Sequence, residues 1–293
     1  MTFARLVFRS TLYHWRTNAA VVLGVAAAVS VLSGALLVGD SVRGSLRQLA
    51  LGRLGRANAV LTSPAFFREG LAADIAQTGG AAAPLITVTG IVTHEPSGRR
   101  ASNVLVYGVD TRFWTFHGLD IPEGVHVSEA LARELGARPD DVLLARVQRP
   151  SQIPLESLFG RRDEIGRTVR LTLSAALGRE RLGEFAIHPQ QGETRALFVP
   201  LRRVQRDLGV TGKVNAVVMD GGATRDTVFA QLRLADLGVD VKPIPDLGVV
   251  SVESASGILS DAQQDGAREA LQRAGLTPMP VFTYLANSMR AGE

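Results

Sequence analysis

The hydrophobic positions of this chain follow two regimes. From Ala19 to Val38 the run AAVVLGVAAAVSVLSGALLV carries no charge for twenty residues, and as a helix it spans about 30 Å, the thickness of a bilayer's hydrocarbon layer. Beyond Arg56 the apolar residues come in short groups, alternating or at i, i+4, and broken by Gly and Pro, which is the pattern of a folded α+β domain. Before the run, Thr2 to Asn18 carries Phe3, Leu6, Val7, Leu12, Tyr13 and Trp15 on a helix that also bears Arg5, Arg9 and Arg16. That composition predicts a helix lying in a membrane interface. After the run, Asp40 to Arg56 reads as a polar helical continuation with Leu46, Leu49 and Leu54, a stalk. The expected division is an interfacial or cytoplasmic helix at 1–18, a transmembrane helix at 19–38, a helical stalk at 39–56 and an outer domain at 57–293.

Within the outer domain, residues 57–63 predict a strand. Pro64 is expected to open a helix through Gln77 with Phe67, Leu71 and Ile75 on one face. LITVTGIVTHE (85–95) and ASNVLVYGVD (101–110) predict two strands joined by the turn EPSGRR, completing a β-α-β-β unit. Ser128 caps a short helix with Leu131 and Leu135 on one face and Gly136 at its end. Strand patterns at 142–148, 168–174, 183–188 and 194–199, then a helix from Pro200 to Gly209, make the middle β-rich, an inserted subdomain from about Pro139 to Ile244. The end returns to the first pattern, with a strand at 249–255, a helix from the Ser260/Gln263 capping box to Gly275, and a strand at 279–289. The expected fold is α+β, with two β-α-β units around a β-rich insertion behind an N-terminal membrane helix.

Charge alters this picture little. Lys and Arg total 32 against 28 Asp and Glu, a net charge of +4, and Lys occurs only at 213 and 242. The arginines are scattered and interleaved with acids, as in Arg161-Arg162-Asp163-Glu164, so a solvated mixed surface is expected and no nucleic-acid partner. The chain has no cysteine, which excludes disulfides, thiolate metal sites and thiol nucleophiles, and leaves stability to the core. Two other readings of the apolar run exist. A cleaved signal peptide, with Ser33-Gly34-Ala35 as its site, calls for a shorter run, and a soluble helix calls for burial on every side. Arg5, Arg9 and Arg16 before the run slightly outweigh Arg43 and Arg47 after it, and the short leading flank favours a cytoplasmic N-terminus. Gly24, Ser30, Ser33 and Gly34 would let a neighbouring membrane helix approach closely.

Candidate chemistry is sparse. Gly39-Asp40-Ser41-Val42 matches the GDS start of some lipases but sits at the junction of helix and stalk, and no G-x-S-x-G occurs. Gly212-Lys213 is followed by Val214 and lacks the earlier glycine of a Walker A loop. His117, Asp120, Glu123 and His126 fall at every third residue, a conceivable metal set, but Pro122 and Gly124 break any helix that would align them and favour a polar loop. His94 and His188 lie beside turns and read as surface residues. No catalytic, cofactor or metal residue is therefore expected. Phe113, Trp114 and Phe116 form the densest aromatic group, either a plug closing the sheet or a contact for substrate or a partner domain.

In order along the chain, YGVDTRFWTFHG (107–118), VHVSEALARELGARPDD (125–141), RRDEIGRTVRL (161–171), ALFVPLRRVQRDLG (196–209) and VFTYLANSMRAG (281–292) follow the interfacial helix and long first span. Their order and spacing resemble the FtsX-like permease subunits of ABC transporters, with an outer domain of the MacB-like periplasmic core type. The resemblance implies a protein of the bacterial plasma membrane with its main domain outside the cytoplasm. It implies a separate ATPase chain as partner, contact with membrane lipid and with other transmembrane helices or a second permease copy, and no cofactor. The role implied is export, lipoprotein release or mechanotransmission through the stalk. Members usually continue with further spans, so the resemblance also implies a fragment of a larger subunit or a truncated product. The alternative is a stand-alone anchored binding or sensor module, with an anchored hydrolase as a more distant third.

Overall fold

The computed structural model describes residues 3–78, 80–147, 167–190, 192–254 and 257–281. It divides into two units, Met1–Gly55 with Phe185–Gly192, and Arg56–Glu184 with Glu193–Glu293.

In the first unit, helix α1 (Phe3–Tyr13) meets helix α2 (Trp15–Arg53) at His14, whose φ of −98° and ψ of 25° leave the helical region. Hydrogen bonds from the His14 N–H to Ser10 and from the Asn18 N–H to the His14 carbonyl, both 3.0 Å, carry the ladder across the joint. Helix α2 is 39 residues long, about 58 Å at the usual rise. It runs through Val38 without a break, so the expected span and stalk are one helix that starts at Trp15. Gly39-Asp40-Ser41-Val42 is an ordinary stretch of that helix. Side chains along the apolar run stand free, with Leu23 and Leu37 each 70% exposed. Such a surface is unfavourable in water and suits hydrocarbon.

In the second unit, eight strands form one sheet. They are β1 (Ala59–Arg68), β2 (Ala82–His94), β3 (Arg100–Val109), β4 (Val125–Ser128), β5 (Val142–Val147), β6 (Arg167–Leu177), β7 (Ala196–Pro200) and β8 (Lys213–Met219). Their order is β1-β8-β2-β3-β7-β4-β6-β5, and β5 pairs again with β2. That last pairing closes six of the strands into a ring. Strand β2 makes closure possible because one edge serves two partners, β8 through Ala82–Leu85 and β5 through Gly90–His94, while the other edge holds β3. The strand turns at Gly90, where the register with β3 shifts. A Cβ there would lie 2.7 Å from the Arg146 carbonyl oxygen of β5, so only glycine lets the two backbones approach this closely. From Ile86 to His94 burial alternates, with Thr89 and Ile91 facing out and Val88 and Val92 facing in.

The inward residues form one core, including Val92, Val104, Val127, Leu143, Leu173 and Leu197. Helices α3 (Leu71–Ala76), α5 (Glu129–Leu135), α6 (Leu201–Leu208) and α7 (Arg225–Gln231) add Leu71, Ile75, Leu131, Leu135, Val204 and Val228 to it. Helix α4 (Thr111–Phe116) contacts β2 and β3. Among the described residues, strands β9 (Val239–Ile244) and β10 (Val249–Ser254) pair only with each other, and helix α8 (Asp261–Arg273) follows behind the capping box of Ser260 and Gln263.

Several expectations are redrawn by this pairing. The stretch from 139 to 244 is not segregated: β5, β6, β7 and β8 interleave with β1 to β4, because the ring can close only with strands from both parts. Of the strand expected at 249–255, Val249–Ser254 pairs with β9 and does not extend the main sheet, and residue 255 lies outside the described residues. Pro64 opens no helix. It lies in edge strand β1 within a register shift between Thr62 and Phe67, where its missing N–H costs no ladder bond. Residues 183–188 are no strand and belong partly to the first unit. Of the strand expected at 279–289, Met279–Val281 is not a strand and the remainder lies outside the described residues, as does 161–166.

Candidate functional site

Strands β3 and β7 are parallel neighbours, and each leads directly into a helix. β3 ends at Val109 and α4 begins at Thr111; β7 ends at Pro200 and α6 begins at Leu201. Beside these strand ends lies a cleft of about 250 Å³ lined by Val109, Asp110, Thr111, Arg112, Trp114, Ile121, Glu123, Gly124, Pro200, Leu201 and Arg202. Here the cleft combines an apolar floor with charges of both signs.

Asp110 builds one wall. Its carboxylate accepts the Arg112 N–H at 3.0 Å, capping α4, and also accepts the Arg112 Nε–H at 3.0 Å. The Arg112 guanidinium donates further to Glu69. The Glu69 carboxylate in turn accepts the Gln205 amide at 2.7 Å, and the same amide donates to the Lys213 carbonyl at 3.1 Å. Burial alone would raise the pKa of Glu69, but the hydrogen bonds from Gln205 and Arg112 and the charges of Arg112 and Arg202 hold it below the ordinary value. Hydrogen bonding to Asp110, against some desolvation, and then to Glu69 keeps Arg112 above its ordinary value. Arg112 is thus committed to two carboxylates. Arg202 is exposed at the rim and makes no salt bridge among the described residues. This arrangement can hold a small polar or charged group.

The three aromatics face inward. Phe113 is 0%, Trp114 4% and Phe116 8% exposed. Trp114 packs on Phe198 with ring centroids 5.3 Å apart, and Phe198 stacks on Tyr107 at 5.4 Å. Trp114 also lines the cleft. His117, Asp120, Glu123 and His126 are not brought together as ligands, and among the described residues no group of His, Cys, Asp and Glu has metal-site geometry. The His117 Nδ1 accepts the Arg56 N–H at 3.2 Å, and the His126 Nε2–H donates to the Pro122 carbonyl at 3.0 Å. His94 is not a surface residue: it is 5% exposed, 2.7 Å from the Ser97 hydroxyl and 3.1 Å from Asp141, and it fastens the β2–β3 turn to the start of β5. His188 is exposed, as its position beside a turn predicts.

Burial, aided by the charge of Arg56, pushes His117 from 6.5 down to about 4. The unfolded chain therefore takes up the proton first. His117 contributes stability that is full above about pH 6.5 and is lost as the pH falls toward 4. The amount is on the order of 3 kcal/mol. An asparagine carbonyl can accept the Arg56 N–H without titrating, so His117→Asn should flatten the decline between pH 7 and pH 4.5 in chemical unfolding of the full chain in detergent. Equal decline in both proteins would rule out His117 as its source.

Of the cleft residues, sequence reasoning picked out Trp114 and Glu123 but missed the chain from Asp110 through Arg112 and Glu69 to Gln205. Asp110, two residues before Arg112 and ahead of a helix, was the available signal. No family model and no curated protein matches the chain. Among solved structures it is similar to the extracellular domain of the noncanonic ABC-type transporter YknZ from Gram-positive bacteria. That match is 10% identical with a TM-score of 0.34, and covers 59% of this chain and 86% of that one. It is also similar to the periplasmic region of MacB from Actinobacillus actinomycetemcomitans, 8% identical with a TM-score of 0.35, over 73% of this chain and 91% of that one.

Proposed function

We propose that this chain is a permease subunit of an ABC transporter, or the N-terminal part of one, which couples a separate ATPase chain to an extracytoplasmic domain. The observation that carries this reading is helix α2. Its apolar half suits a bilayer, and its polar half, from Asp40 to Arg53, continues the same hydrogen-bonded rod beyond it. A rod of about 58 Å exceeds the hydrocarbon thickness by nearly half its length, which an anchor does not need and a transmitter of movement does. The order of the motifs supports the same reading. On it, residues 57–293 are the outer domain of the bacterial plasma-membrane protein, the N-terminus is cytoplasmic, and ATP is hydrolysed in the partner chain. Export, lipoprotein release and mechanotransmission are the roles it would serve, with lipid and a further permease copy or other membrane helices around α2.

The cleft beside β3 and β7 favours a second reading, a stand-alone anchored binding module. Purification of the tagged full chain from its native membranes in mild detergent separates the two. Co-elution of an ATPase at a constant ratio is the expected result, together with protease sensitivity of the outer domain, but not of the N-terminus, in right-side-out vesicles. Elution with no ATPase would remove the permease reading and leave the binding module.

A further inference from the structure

The far end of the membrane helix is fastened to a segment that lies more than 130 residues along the chain. Arg53, the last residue of α2, is only 8% exposed. Its guanidinium donates through Nη1 to the Gln190 carbonyl at 2.6 Å and through Nη2 to the Gly192 carbonyl. The Arg53 carbonyl accepts the Ala186 N–H at 3.4 Å, so the helix end is gripped at both ends of that segment. Phe185 and Ala186 are buried, 0% and 3% exposed. Phe185–Gly192 belongs to the same compact unit as the helix. The planar fork of arginine suits two neighbouring carbonyls at once, which an ammonium cannot match, and a cation at the last turn also meets the negative end of the helix dipole.

The consequence follows from chain connectivity. The first unit joins the second through the peptide bonds at 55/56, 184/185 and 192/193. Without the guanidinium bonds, the Ala186 bond to the Arg53 carbonyl is the weaker tie left between segment and helix end, and the helix leads outward chiefly through Gly55, whose φ of 60° glycine adopts without strain. With the grip, the other two joins also belong to the helix end. One leads back to β6 and the other on to β7, the strands on either side of β4 in the ring. We propose that Arg53 makes the Phe185–Gly192 segment travel with the membrane helix, so that movement of α2 is delivered to the outer domain through β6 and β7 as well as through Gly55. The delivery rests on the permease reading; the fastening does not.

The chain has no cysteine, so labels can be placed without background. Ser41 and His188 are exposed, and Ser41 lies about 18 Å along the helix from Arg53. Spin labels on the full chain in nanodiscs, at Ser41→Cys and His188→Cys, should give a narrow distance distribution. Adding Arg53→Ala should widen it about twofold, and Arg53→Lys should fall between, with unchanged circular dichroism. An unchanged width in Arg53→Ala would overturn the fastening, whatever the fate of the permease reading. In proteoliposomes with the co-purified ATPase, a fluorophore at position 188 should respond to ATP. Arg53→Ala should abolish that response while hydrolysis stays within about twofold, and Arg53→Lys should retain part of it. Persistence of the response in Arg53→Ala would overturn the delivery. If no ATPase is found, the permease reading fails, and the label distances still decide the fastening.

Discussion

Replacing Gly183 by alanine is expected to cost the outer domain about 3 kcal/mol or more, enough to remove a large part of the stability of a domain this size. A Cβ on Gly183 would stand 1.9 Å from the Leu177 carbonyl oxygen, 2.7 Å from the Leu177 carbonyl carbon and 2.9 Å from the Gly178 carbonyl oxygen. All three are backbone atoms, so no side chain can swing away to make room. The relief has to come from the end of β6 itself. Leu177 is 1% exposed and pairs with Ser128 of β4, and the Gly183 N–H closes the turn on the Gly178 carbonyl at 2.9 Å. Moving it therefore disturbs the ring where two parallel strands meet. Gly266 provides the opposite case. It lies inside α8 with nothing within 4 Å of a new Cβ, so alanine there should stabilise by up to about 1 kcal/mol through helix propensity. Urea unfolding of the full chain in detergent, followed by the fluorescence of buried Trp114, measures both. Equal midpoints for Gly183→Ala and the parent would show that the turn after β6 is not held as described.

Local signals placed many elements of this fold, and distant pairing decided the rest. Ser128 and Gly136 bracket α5, and Ser260 with Gln263 starts α8, because a cap is written within four residues of the helix it closes. The alternation of β2 and β3 was equally plain. What could not be read was that β2 would serve β8 and β5 along one edge, since nothing in Ala82–His94 names its partners. Pro64 misled for a related reason: as a helix start and as an edge-strand bulge it looks the same until β8 is known to lie on one side only. The same holds for the cleft. Asp110 capping α4 is local, but Glu69 and Gln205 come from β1's end and α6 and meet Arg112 only through the folded ring. Arg53 gave no sign at all, because its partners are backbone carbonyls that any sequence would supply.

Placing an arginine at Val29, near the middle of the uncharged run, should abolish stable membrane insertion of the chain. The ten valines and leucines between Ala19 and Val38 contribute roughly −3 to −6 kcal/mol in total on an insertion scale. The glycines and serines of the run, Gly24, Ser30, Ser33 and Gly34, reduce that margin. An arginine at the helix centre costs about 2.5 to 3.5 kcal/mol, so one substitution consumes most of what remains. Val29 is 55% exposed, so no protein surface among the described residues would shelter the charge. Ser41 lies on the same helix three residues past Val38, where an arginine side chain can reach headgroups and water, so Ser41→Arg should insert normally. Extraction of membranes at alkaline pH reads the difference: the parent and Ser41→Arg should stay in the pellet, and Val29→Arg should leave it. If Val29→Arg remained membrane-resident, the run from Ala19 to Val38 would not be crossing hydrocarbon, and the transmitting role given to α2 would fall with it.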